Sequence, residues 1–251
     1  MDFTSEDKLL LARAEDAVSL CEKHSYPHFV GFLDERQQMV LSAYFRHTEG
    51  TVICFWGGHE QAEKTMFGVF PDFMDADMML FPLAPLTFRY RESAHLSHRD
   101  FLGTILSSGV RRDKIGDILC FDGKTVVFAA EEIAAFLCEQ VTKVGGEGVT
   151  CTVGLDEPLQ FSRTYKDIQM TVASPRLDNV VKALIGSSRE KAAAMIVAGL
   201  VAVNHQPSEN ISKTVCEGDV LSIRGAGRFR IVSLSQKTKK ERLVLFAQKY
   251  L

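Results

Sequence analysis

No apolar run in the 251 residues approaches the roughly 20 that a bilayer-crossing helix needs. The N-terminus, Met1-Asp2 followed by Glu6 and Asp7, also lacks the basic head of a signal peptide. A cytoplasmic chain with no membrane partner is expected. The six cysteines (Cys21, Cys54, Cys120, Cys138, Cys151, Cys216) contain no close pair, so neither a disulfide framework nor a thiolate zinc site is expected, and buried free thiols are. A nucleotide-type glycine loop is missing too. Gly145-Gly146-x-Gly148 follows a predicted helix and precedes a strand, the wrong order for a cofactor-binding turn. His95 and His98 have no clear third ligand for a metal. His98-Arg99-Asp100 repeats three letters of the kinase catalytic loop without its distal Asn, its Asp-Phe-Gly or its glycine-rich loop. No cofactor, no metal and no catalytic residue are expected.

What is present is a charge asymmetry. The hydrophobic fraction of 46% and charged fraction of 24% are those of an ordinary globular chain, which excludes long disorder and fibrous architectures. The net charge of −3 conceals three unlike parts. Residues 1–80 carry 6 Lys and Arg against 14 Asp and Glu, residues 81–173 carry 10 against 12, and residues 174–251 carry 13 against 6. A basic charge concentrated on one small module is the footprint of a polyanion binder, because each neutralised phosphate releases condensed counterions. The acidic first part is a candidate dock for a protein partner.

Local patterns predict an α+β, multidomain chain with an N-terminal α/β domain over residues 1–80, a middle domain over 81–160 and a C-terminal module over 174–251. In the first, Thr4-Ser5-Glu6-Asp7 opens an amphipathic helix through Leu10, Ala14, Ala17 and Cys21, Asp34 caps a second helix, and residues 51–56 form a strand closed by Gly57-Gly58. The middle part predicts strand 86–91, helix 99–107, strands 117–121 and 125–129 joined at Asp122-Gly123, helix 131–141 and strand 148–153. That order is the β-α-β-β-α-β pattern of ferredoxin-like and RNA-recognition-motif (RRM-like) domains. The Lys/Arg-Gly-Phe-Gly-Phe pattern with which an RNA-recognition motif stacks bases is absent, and Phe88, Tyr90, Phe121 and Phe128 read as core. A second RNA site in this domain would instead use His98 and Arg99 with Arg111, Arg112 and Lys114, around the first helix.

After a linker at 159–162 and a strand at 167–172, Leu177, Val181 and Leu184 share one helical face and leave Arg176 and Lys182 off it. Gly186 stops that helix. Ser187 and Glu190 have capping-box spacing and open a second helix ending at Gly199. Arg189 and Lys191 fall in its first turn, where free backbone N–H groups and the helix dipole favour phosphate. A strand 200–204, a turn at His205-Gln206-Pro207 and strands 220–223 and 230–234 complete a small sheet. In Arg224-Gly-Ala-Gly-Arg228-Phe-Arg230 the glycines permit a tight turn, and Arg228 and Arg230 share one strand face as a second phosphate clamp.

Arg176-Leu177-Asp178, Ser188-Arg189, Ala192, Ile196 and Gly199 to Asn204 resemble the RNA-binding domain named after small-subunit ribosomal protein S-four. The resemblance implies that the two-helix corner and adjoining loop hold folded RNA, and with the charge pattern it makes Arg176, Lys182, Ser188, Arg189, Lys191, Asn204, His205, Lys213, Arg224, Arg228 and Arg230 the candidate RNA contacts. His205-Gln206 departs from the glycine that commonly follows the Asn. The Asp178 carboxylate sits inside the binding module and not in a separate synthase domain, so a structural role is expected of it. Phe55-Trp56-Gly57-Gly58-His59, Ser97 to Gly103 with Lys114 to Ile118, and Arg224 to Arg230 followed by Thr238-Lys239-Lys240 are similar to the YlmH family. That resemblance implies a non-enzymatic role in ribosome-associated quality control, binding ribosomal RNA, and tRNA in a stalled peptidyl-tRNA, on the large ribosomal subunit. The alternatives are an RNA-binding adaptor linked to cell division or an accessory of an rRNA-modifying enzyme.

Overall fold

In the computed structural model, residues 4–237 and 242–250 are described. They divide into two compact units, residues 1–160 and 161–251. Thr238-Lys239-Lys240 and Met1-Asp2 lie outside the described residues.

The first unit opens with helix α1 (Ser5–His24), strand β1 (His28–Leu33), helix α2 (Glu35–Tyr44) and strands β2 (Thr51–Trp56) and β3 (Thr65–Pro71). Both helices start as the sequence predicts. Thr4 and Asp34 each form reciprocal capping boxes, with Asp7 and Gln37 respectively. The strands form an antiparallel sheet in the order β1-β3-β2, packed on α1 through Leu10, Leu11, Ala14 and Phe67. Two of its three strands, β1 and β3, escaped the sequence pattern. β3 is buried along its whole length, so its residues do not alternate.

A short 3-10 turn (Met78–Leu80) leads to β4 (Leu83–Arg89), α3 (His98–Ser107), a second 3-10 turn (Arg112–Lys114), β5 (Ile115–Phe121), β6 (Lys124–Ala130), α4 (Glu131–Gln140), the small hairpin β7 (Lys143–Val144) and β8 (Glu147–Gly148), and β9 (Thr150–Val153). The sheet order β5-β6-β4-β9, antiparallel throughout, is the ferredoxin-like topology expected from the element order. Leu86, Phe88, Ile115 and Val127 face α3 and α4 through Phe101, Ile105 and Leu137. One expectation is overturned here. Cys138 and Cys151 form a disulfide, joining α4 to β9, because those elements pack side by side although their cysteines stand 13 residues apart. Among the remaining cysteines Cys21 is buried, but Cys120 and Cys216 are exposed.

Asp117 on β5 joins the two sheets of this unit. Its carboxylate accepts the backbone N–H groups of Glu63 (2.9 Å) and Lys64 (3.0 Å) and lies 3.2 Å from His59 Nε2. The His59 ring lies against Phe128, centroids 5.0 Å apart. Gly58 makes this possible. Its φ is +95°, and a Cβ there would stand 2.3 Å from the Phe128 ring.

The second unit consists of β10 (Tyr165–Val172), α5 (Leu177–Ile185), α6 (Arg189–Val197), β11 (Val201–Val203), β12 (Gln206–Pro207), β13 (Val220–Ile223), β14 (Gly227–Lys237) and β15 (Leu243–Tyr250). Its sheet runs β10-β15-β14-β13-β11-β12. Leu177, Val180 and Val181 of α5 and Ala192 and Ile196 of α6 close over Leu221, Ile223, Phe229, Ile231 and Leu245. Gly186, at φ +62°, ends α5 in the left-handed conformation, as its position predicts.

Gly58→Ala is expected to destabilise the first unit by about 3 kcal/mol, combining the left-handed penalty with overpacking on Phe128. Thermal unfolding should show a transition roughly 6 to 12 °C lower. Gly103→Ala in α3, where a Cβ meets nothing within 4 Å, should match or exceed wild-type stability.

Candidate nucleic-acid interface

The corner between α5 and α6 is organised by one buried carboxylate. Asp178, 1% exposed, accepts Arg176 Nε and Nη2 at 3.2 and 3.1 Å and Arg189 Nε at 2.8 Å. It also accepts the backbone N–H of Asn179 at 2.9 Å. Burial pushes the Asp178 carboxyl up, but the hydrogen bonds and charges of Arg176 and Arg189 outweigh it and hold the group below its ordinary value of 3.8. The two guanidiniums, 37% and 56% exposed, are thereby fixed in direction while their outer faces stay open to solvent. Two cations 13 residues apart become one rigid positive surface.

Helix α6 does not begin with the capping box expected from Ser187 and Glu190. Ser188 is the cap, accepting Lys191 N–H at 3.1 Å, and the third helical position is Lys191. The single-residue shift brings Arg189 to the first helical position, within reach of Asp178. On its other flank Lys191 lines an open groove of about 1040 Å³ together with Lys166, Arg224 and Lys249, over a floor that includes Met170, Leu184 and Phe229. Among the described residues Asp167 is the only acid lining it. Lys249 Nζ lies 5.7 Å over the Phe229 ring.

The remaining candidates separate. Phe229 points into the core, so Arg228 and Arg230 share the opposite face of the sheet and do not join Arg224. Arg228 there lies 5.4 Å over the Tyr250 ring, which also packs on Tyr165. Lys182 is exposed late in α5, and Lys213 lies beside the start of α5, its carbonyl accepting Leu177 N–H. Asn204 is used internally, donating to Asp219 and accepting Val220 N–H, both at 2.8 Å. The turn after β11 is Asn204-His205, at φ +49° and +64°, so the expected turn moves back by one residue and Gln206-Pro207 returns as strand. A left-handed pair makes the tight hairpin that the sheet's twist favours, here without the usual glycine. Lys166, Lys249 and Tyr250 went unnoticed in the sequence because β15 and the start of β10 carry no local signal that they pair with each other.

In the first unit, the sheet face on which an RNA-recognition motif stacks bases is covered. Phe128 is 1% exposed beneath His59 and Gly58, and Phe88 is in the helix-side core. At the other end residues 154–160 lie across the sheet, held by Thr87 Oγ1 donating to Gly154 O (2.7 Å), by Arg89 with Asp156 (2.6 Å) and by Lys124 with Glu157. The cations around α3 are of two kinds. Arg111 pairs with Asp113 and Lys114 with Glu132. Arg99 is exposed at the start of α3, beside His98. Among the described residues no group of three or more His, Cys, Asp or Glu side chains could hold a metal.

Asp178→Ala is expected to cost about 2 kcal/mol and to weaken RNA binding, since it releases both arginines and orphans a backbone N–H. The folded-state pKa is depressed, so this stabilisation is complete above the unfolded value near 3.8 and fades as pH falls through the lower folded value. In urea titrations the stability gap between wild type and variant should therefore be smaller at pH 3 than at pH 7.

Two family models match the chain in order. One, described as a putative RNA-binding domain in YlmH, covers residues 81–154, and the S4 domain covers residues 175–221. A curated relative, the ribosome-associated protein quality control protein P2 of Bacillus subtilis (strain 168), is 29% identical over 242 residues, spanning 96% of this chain and 94% of its own. A solved structure titled cell division protein ylmH from Streptococcus pneumoniae shares the fold at a TM-score of 0.52 and 20% identity, over 62% of this chain and 94% of that one. With both domains in sequence and a relative matched nearly end to end, the chain is similar to the YlmH family over almost its whole length.

Proposed function

We propose that this protein is a non-enzymatic, cytoplasmic RNA-binding factor of ribosome-associated quality control, which holds ribosomal RNA on the large subunit beside a stalled peptidyl-tRNA. The carrying observation is the prearranged positive corner: two arginines pinned by Asp178, next to a groove lined by Lys191, Arg224, Lys166 and Lys249. Residues 161–251 hold 15 Lys and Arg against 7 Asp and Glu, so the surrounding field favours a polyanion. The geometry suits folded RNA better than a single strand, since backbone phosphates meet fixed cations and, among the described residues, no row of exposed aromatics lines the groove. The near-full-length likeness to a relative named for ribosome-associated quality control supports the setting.

A protein partner on the acidic N-terminal part is the second reading. It is favoured by Phe73 and Met79, 72% and 88% exposed, in the stretch that carries Asp72, Asp75 and Asp77.

Sucrose-gradient sedimentation of tagged protein separates the two. A ribosome factor travels with the large subunit, whereas an adaptor stays at the top. Lys191→Glu with Arg224→Glu, which leaves the Asp178 network intact, is expected to lower RNA affinity on the order of 10- to 100-fold and to abolish co-migration. Normal co-migration of that variant would remove the groove from the interface.

A further inference from the structure

The six-stranded sheet of the second unit has two unlike faces. Helices α5 and α6 close over one of them, around Leu221, Phe229 and Leu245. Register sets a different group on the other. Tyr165 stands opposite Tyr250, and the pairing of Phe229 with Lys249 brings Tyr250 beside Arg228. Two residues along, Asp167 stands opposite Gln248, and Gln248 opposite Arg230. Two neighbouring rows thus cross β10, β15 and β14 on one side of the sheet.

The side chains in these rows touch. The Tyr165 and Tyr250 rings meet edge to face with centroids 5.1 Å apart, and the Arg228 guanidinium lies 5.4 Å over the Tyr250 ring. Gln248 Nε2 donates to Asp167 at 3.1 Å. Tyr165 is 37% exposed, and Arg228 and Arg230 are exposed as well. A guanidinium held over a ring is fixed in position, and bases stack on arginine planes as well as on aromatic rings.

Among the described residues the charges on these strand faces are Arg228 and Arg230 against Asp167, whose carboxylate is engaged by Gln248. Of the acids just before β13, Glu217 accepts Leu234 N–H (2.9 Å) and Asp219 accepts Cys216 N–H (2.7 Å) and Asn204 Nδ2 (2.8 Å). Arg230 forms no ion pair with any described residue. The groove beside Lys191 and Arg224 offers cations to a polyanion; this face sets tyrosines among its cations. Paired RNA keeps its bases inside the helix, whereas unpaired nucleotides present phosphates and base planes together.

We infer that this second face of the sheet binds unpaired nucleotides of the RNA, a loop or an end, with bases stacking on Tyr165 and on the guanidinium that Tyr250 supports, and with phosphate meeting Arg230. This rests on the RNA-binding reading and deepens it: paired RNA is held at the helix corner and unpaired RNA on the back of the sheet.

The test uses the full chain and fluorescence anisotropy on three RNAs across a salt series: a blunt duplex, the same duplex with a single-stranded tail, and an oligouridine. Arg228→Gln with Arg230→Gln is expected to weaken binding of the oligouridine and the tailed duplex about tenfold. The slope of log affinity against log salt should fall by roughly 1.4 for the oligouridine. Blunt-duplex affinity should stay at the wild-type value, which also reports an intact fold. Tyr165→Leu should give a similar loss on the oligouridine at unchanged slope, because it removes a ring and no charge. Wild-type affinity of both variants for the tailed duplex, with Lys191→Glu still weakening the blunt one, would overturn this face and leave the helix-corner reading standing. Equal losses on tailed and blunt duplexes would make the face a contact for paired RNA and overturn the assignment to unpaired nucleotides. Binding of none of the three RNAs by wild type would overturn both readings.

Discussion

A buried carboxylate shared between two arginines is the constraint on which the C-terminal surface depends. Asp178 would be costly to bury alone, and Arg176 and Arg189 would be mobile without it. Together they satisfy one another on the inner side, and the guanidinium edges not used by Asp178 stay open to solvent. Such preorganisation matters more for binding than a higher count of surface lysines, because ordering flexible cations at the moment of contact would consume part of the interaction energy.

Asp117 plays a different part in the first unit. Its oxygens are taken by backbone N–H groups and a histidine, so it fixes a loop and joins two sheets. The same residue type thus orders side-chain cations in one unit and main chain in the other. What decides is whether the nearest donors belong to side chains or to main chain.

The middle domain also separates fold from site. Its strand order is that of RNA-recognition motifs, yet the face that would stack bases is occupied by His59 and Gly58 at one end and by residues 154–160 at the other. Available charge is thereby displaced to the margin of α3. The ion pairs holding residues 154–160 are partly exposed, Arg89 at 56% and Glu157 at 63%, and each contributes little to stability.

Much of this was legible along the chain. Capping residues at Thr4 and Asp34, the glycine stop at 186, the β-α-β-β-α-β order and the basic C-terminal module are local or compositional signals, since each depends on residues a few positions apart or on summed charge. The Ser188 cap, the Cys138–Cys151 bond and the parting of Arg224 from Arg228 and Arg230 were settled by the fold alone. Each depends on which strand neighbours which and on which side of a sheet a residue faces. A shift of one position reverses that outcome, and no short stretch of sequence encodes a pairing between elements that meet only after the chain has closed on itself.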